Sequence, residues 1–296
     1  MGLSPDALAR LARLHLRTKA VLDGLLAGQH RSPRRGQSVE FAEHKEYSPG
    51  DEIRHIDWKA YGKFDRYYVK RFEQETNLRA YLVVDASASM AYGAEGGKFE
   101  LAGVLAAGLA TVLSRQQDSV GLGLWQQERL TLWPPHQSPA HLSALLERLA
   151  AAVPRGGTNL AALAQGLGEK IHRPALIVVL SDLFDVSPGG LAQLLSLRAR
   201  GHDVVVLHLL DRAELDFSFE DPTLFVSMED DRRLEVNPRE LRRGYLDELQ
   251  RFLTDTERLC RERDCDYQRV VSDAPPERAL AALLAQRDRR AGAGRR

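Results

Sequence analysis

The chain has 296 residues, 44% of them hydrophobic, enough for one large domain or two small ones around a sizeable core. Its 41 Lys and Arg balance 41 Asp and Glu, so no global field draws it to nucleic acid or to an anionic membrane. The two cysteines, Cys260 and Cys265, have no His or Cys at zinc-site spacing and read as ordinary thiols of a reducing cytosol.

Met1 to Arg17 has no apolar core followed by a small-residue cleavage site, so no signal peptide is expected. Residues 5–27 repeat leucines at helical spacing behind Ser4-Pro5-Asp6 and predict an amphipathic helix. Residues 28–77 change character: they are polar, basic and aromatic, with a turn at Ser48-Pro49-Gly50-Asp51. Short strands and ordered loops, a small β-rich subdomain, are expected there.

From residue 79 apolar strands alternate with helices. Strands are predicted at 79–85, 119–125, 129–133, 175–180, 203–209 and 267–271, helices at 98–116, 139–153, 159–171, 189–200, 238–263 and 276–286, and a short β excursion at 225–228 with 233–236. The stretch Leu101–Leu113, broken by Gly103 and Gly108, is shorter than the about 20 residues a membrane span needs. A cytoplasmic chain without membrane insertion is expected. The alternation predicts a parallel α/β sheet with helices on both faces, in which ligands sit beyond the carboxyl ends of the strands. The division expected is 1–77 for the helix and polar segment, 78–287 for the α/β domain, and 288–296 for a disordered basic tail.

Three segments then stand out. Asp85-Ala86-Ser87-Ala88-Ser89 follows the first apolar strand, Gly156-Gly157-Thr158-Asn159 precedes a helix, and Ser181-Asp182 follows the strand 175–180. Hydroxyls and carboxylates without His or Cys are hard oxygen donors, suited to Mg²⁺, Mn²⁺ or Ca²⁺. Serine and aspartate caps of helices explain each segment singly but not the three together.

Asp-x-Ser-x-Ser, the threonine of the Gly-Gly-Thr-Asn loop and the later aspartate resemble the metal-ion-dependent adhesion site (MIDAS) of von Willebrand factor A domains. That resemblance implies direct ligation by Ser87 and Ser89, direct or water-mediated ligation by Thr158, and waters held by Asp85 and Asp182. The stretches 38–41, 47–59 and 68–73, with Asp273-Ala274-Pro275-Pro276, resemble the bacterial family called domain of unknown function 58 over roughly residues 10–287. That family joins this signature to a von Willebrand factor A-like half. Lys45, Glu52 and Tyr61-Gly62 depart from its common residues. The resemblance implies a short soluble form and a non-enzymatic, Mg²⁺-dependent protein-binding module. Its expected role is adaptor or co-chaperone of a MoxR-type AAA+ ATPase or its client.

Within the signature, Glu40, Asp51, Arg54, Asp57 and Arg71 form either an ion-pair network or a partner-docking face. Arg31, Arg34 and Arg35 offer phosphate contacts, so nucleic-acid binding through 31–71 is an alternative that the balanced charge disfavours. No P-loop or Gly-x-Ser-x-Gly elbow occurs. A Mg²⁺-dependent hydrolase is a further alternative, for which no general base is evident.

Overall fold

The computed structural model describes residues 4–29, 44–46, 67–70, 78–93, 97–185, 189–229 and 232–293. The chain divides into two compact units, 1–28 with 78–296, and 29–77. In the smaller unit β1 (His44–Glu46) pairs antiparallel with β2 (Tyr68–Lys70), His44 opposite Lys70.

The larger unit is built on β3 (Arg79–Asp85), β4 (Ser119–Gln126), β5 (Arg129–His136), β6 (Leu176–Ser181), β7 (Asp203–Leu210) and β10 (Asp266–Val271), in the order β10-β7-β6-β3-β4-β5. All neighbours are parallel except β4 and β5. The β4–β5 link turns at Gln127 and Glu128, both at positive φ (51° and 56°), as a two-residue hairpin turn of the I′ kind requires. Pro134 and Pro135 sit in β5 at the sheet edge, where the β4–β5 register shifts between Val120 and Leu122, an irregularity that tolerates the missing amides.

Side chains of β3 alternate between the two faces. Ala80, Leu82 and Val84 join one core with α1 (Pro5–Gln29), α2 (Gly97–Arg115), α3 (Pro139–Ala151) and α8 (Pro276–Ala293). Tyr81 and Val83 join the other with α4 (Leu160–Lys170), α5 (Gly190–Leu195) and α7 (Pro238–Glu262). The architecture is therefore a mostly parallel sheet covered by helices on both faces. α2 is long and apolar enough to cross a bilayer by length and composition, yet 78% of that window is buried inside the fold.

The sequence missed α6 (Arg212–Asp216), which starts with a capping box between Asp211 and Glu214. The excursion is a hairpin of β8 (Thr223–Val226) and β9 (Arg233–Val236). α8 runs to Ala293, so 288–293 is helical where a disordered tail is expected; Ala and Arg are good helix formers.

Order in the sheet reverses at β3, flanked by β6 and β4. The carboxyl ends of β3 and β6 thus lie side by side at the switch point, where such sheets bind ligands.

Candidate metal centre

β3 ends at Asp85, whose side chain is 2% exposed. Its Oδ1 accepts the Ser87 amide at 2.8 Å, and its Oδ2 accepts the Ser181 hydroxyl at 2.6 Å. The first bond bends the chain directly after the strand. The second ties the ends of β3 and β6 together across the sheet. Burial, and then the nearby Asp182, push the Asp85 carboxyl up to about 6, against the lowering effect of the Ser181 and Ser87 bonds.

After the bend, Ser87 starts a short 3₁₀ turn, Ala88–Ala91, and its hydroxyl lies 3.1 Å from that of Ser89. The loop before α4 is zipped to this turn: the Ala88 amide donates to Gly156 O and the Arg155 amide to Ala86 O, both at 2.8 Å. Gly156 has φ +76°, and a Cβ there would sit 2.7 Å from the Gln127 Cα, so the crossing of this loop over the β4–β5 turn demands glycine. Beyond it Thr158, 7% exposed, places Oγ1 3.5 Å from Asp85 Oδ2. Asn159 then caps α4 by accepting the Ala162 amide at 2.9 Å.

Asp182 follows β6 and is fully buried. Its Oδ1 accepts the Phe184 amide at 3.2 Å, while Oδ2 is held by the Lys98 ammonium at 2.8 Å. Leu183 next to it is at φ +58°, a conformation costly for a branched side chain, and its amide is held by Ser181 Oγ at 2.9 Å.

The structure thus brings Asp85, Ser87, Ser89, Thr158 and Asp182 to one edge of the sheet. Glu40, Asp51, Arg54, Asp57 and Arg71 lie outside the described residues.

Three further residues complete the surroundings. Lys98, in the first turn of α2, has no exposed surface and pairs with both Asp182 and Glu214, the latter at 2.5 Å. Burial works to lower its pKa, but the two carboxylates outweigh it, so the net shift is upward and the ammonium stays charged. His208 on β7 sits under the Asp182 carbonyl, with Nε2 2.9 Å from that oxygen and Nδ1 2.8 Å from the Tyr267 hydroxyl. Burial pushes its pKa down to about 4, so the ring is neutral, with Nε2–H donating to the carbonyl and Nδ1 accepting from Tyr267. Ser181 stood in the sequence motif as the neighbour of Asp182; its own part is to hold Asp85.

A sequence signal existed for Lys98 alone. A cation in the first turn of a helix opposes the macrodipole, which asks for a nearby carboxylate. Nothing local marks His208.

Among the described residues no group of three or more His, Cys, Asp or Glu comes together to hold a metal. The donors here are three hydroxyls and two carboxylates, and Lys98 already occupies the buried Asp182 Oδ2. Oxygen-only donors with few charges fit a hard cation that keeps part of its water shell. Lys98 already neutralises Asp182 in part, so Asp182 fits the role of holding water better than that of a direct ligand.

The profile of the family described as "Protein of unknown function DUF58" matches residues 43–252. An uncharacterized protein of Mycobacterium bovis and one of Mycobacterium tuberculosis are each 28% identical over 216 residues, 72% of this chain and 68% of theirs. Among solved structures, "conserved hypothetical protein BatB" from Bacteroides thetaiotaomicron aligns at 16% identity and TM-score 0.45, over 71% of this chain and 98% of that one. An "aerotolerance-related membrane protein" from Bacteroides fragilis aligns at 17% identity and TM-score 0.43, over 71% and 97%. Superpositions this loose carry no argument about the site.

Proposed function

The chain belongs to the DUF58 family, and within that family we propose that it is a non-enzymatic, metal-dependent protein-binding module with a von Willebrand factor A-like α/β domain. The observation that carries this reading is the convergence of hydroxyls and carboxylates from three separate segments, 85–89, 158 and 182, at the switch point of the sheet. Ser87, Ser89 and Thr158 would hold a Mg²⁺ or similar hard cation, with Asp85 and Asp182 holding its waters. When bound, such an ion supplies an electrophilic point for an outside carboxylate.

The chain's own residues set that point up. The Ser87 amide and the Ser181 hydroxyl fix the Asp85 carboxylate. The pairing of 86–88 with 155–156 fixes the distance between the serines and Thr158. Lys98 cancels part of the negative charge, which keeps the first shell poor in anionic donors and leaves the cation attractive to a partner acid. The resemblance of 38–73 to the family signature supports a MoxR-type AAA+ ATPase, or its client, as that partner.

The test is co-purification of this chain with such an ATPase, in Mg²⁺ and in chelator, for wild type and Ser87→Ala. Capture should be lost in chelator and in the variant. Capture indifferent to both would refute the metal bridge.

A further inference from the structure

The hairpin β8–β9 carries a carboxylate to the candidate centre. Glu229, just past β8, lies against the backbone at Gly157 and beside Ser89. A Cβ on Gly157 would lie 3.4 Å from Glu229 Oε2, so the bare backbone there leaves room for the carboxylate. The Glu229 amide donates to Ser227 Oγ at 3.3 Å, which turns the chain toward the site. Glu229 and Ser89 together line a cavity of about 450 Å³ that opens beside the centre.

Asp85 and Asp182 are already buried at the site, and Asp182 acts on Glu229 by repulsion. The buried ammonium of Lys98 is engaged by Asp182 and Glu214. Glu229 is exposed and Arg232 lines the same cavity, so solvent and that guanidinium screen part of this repulsion; a cation at the centre would relieve the rest. Ser89, which lines the cavity with Glu229, is also one of the hydroxyls that would hold that cation.

We propose that Glu229 is the chain's own acidic ligand for this centre. It takes the position open to an outside carboxylate, and an acidic side chain of a partner binds by displacing it. This rests on the metal-binding reading given above. Glu229 therefore sets a threshold: an internal ligand seated nine-tenths of the time lowers the apparent affinity for an outside one by about tenfold.

Mn²⁺ serves as the probe, read by water-proton relaxation of the full-length protein, for wild type, Glu229→Gln, Glu229→Ala and Ser87→Ala. Each Glu229 variant should relax water more per bound Mn²⁺, by the equivalent of one additional exchangeable water. Added acetate should reverse that gain at about tenfold lower concentration than any acetate effect on wild type. Bound Mn²⁺ with equal relaxation in wild type and both Glu229 variants would overturn the role of Glu229 and leave the metal reading standing. No Mn²⁺ binding by wild type above Ser87→Ala would overturn both.

Discussion

Replacing Lys98 by methionine removes one positive charge from the interior and leaves the packing nearly intact, because methionine retains most of the volume of the lysine stem. In the wild type that ammonium has no exposed surface and lies 2.8 Å from Asp182 and 2.5 Å from Glu214. After substitution Asp182 retains the Phe184 amide and Glu214 retains the Asp211 amide, but both carboxylates lose their counter-ion. Breaking a buried pair by removing one partner costs about 3–5 kcal/mol, through the charge left uncompensated. Against a total stability of about 5–15 kcal/mol, the variant should still fold. With a urea slope of about 3 kcal/mol/M, its midpoint should fall by about 1–1.7 M in chelator, followed by far-UV circular dichroism. Mg²⁺ should stabilise the variant more than it stabilises wild type, since a divalent cation at the centre would replace part of the lost charge. The double variant Lys98→Met/Asp182→Asn should recover part of the loss, because the two residues are coupled. A midpoint within about 0.3 M of wild type, at unchanged slope, would refute the view that Lys98 balances these carboxylates.

His208 gives the fold a pH dependence. It stays neutral to about pH 4 in the folded protein but titrates near 6.5 when unfolded. Its contribution is therefore intact above about pH 6.5 and is lost as pH falls toward 4. Between pH 7 and 4.5 this amounts to about 2 kcal/mol. His208→Gln lacks the titration, so its stability relative to wild type should improve by that amount over the same interval. A constant difference at both pH values in urea unfolding would refute it. Gly156→Ala should destabilise by more than about 1 kcal/mol, since it meets both a φ of +76° and a Cα 2.7 Å away. It should also weaken Mn²⁺ binding by displacing Thr158, as calorimetric titration would show. Asp85→Asn should abolish Mn²⁺ binding while changing the melting temperature little in chelator, because it relieves a carboxylate disfavoured by burial and by Asp182. A large fall in melting temperature would show that Asp85 is chiefly structural. Asn159→Ala removes the cap of α4 and should cost about 1 kcal/mol, measured by denaturant unfolding.

The amino-acid sequence by itself determined the class of fold. Apolar runs such as Leu176–Leu180 and Val204–Leu207, buried on both faces, can only be central strands of a covered parallel sheet, and the helical stripes between them cover it. It also placed the oxygen-bearing residues after strands or before a helix, because turn and cap chemistry is local: Asn159 caps, and Asp85 folds back on the Ser87 amide two residues ahead. Pairing of the sheet, by contrast, required tertiary structure. Strand order put β6 beside β3 and so brought Ser181 and Asp182, almost a hundred residues on, against Asp85.

Of the centre's neighbours, Lys98 alone left a local signal. Lys98 shows only as a cation in the first turn of a helix and His208 not at all; the importance of both comes from burial, which forces a lone charge or ring nitrogen to find a distant partner. Glu229 is the first of three successive acidic residues between the hairpin strands, and only the path of the chain brings it beside Ser89. What the sequence encoded was a set of oxygen donors. Tertiary packing decided which of them meet, which charge is balanced by Lys98, and which carboxylate of the chain itself faces the centre, because burial energies act between residues that the chain's path, not its order, makes neighbours.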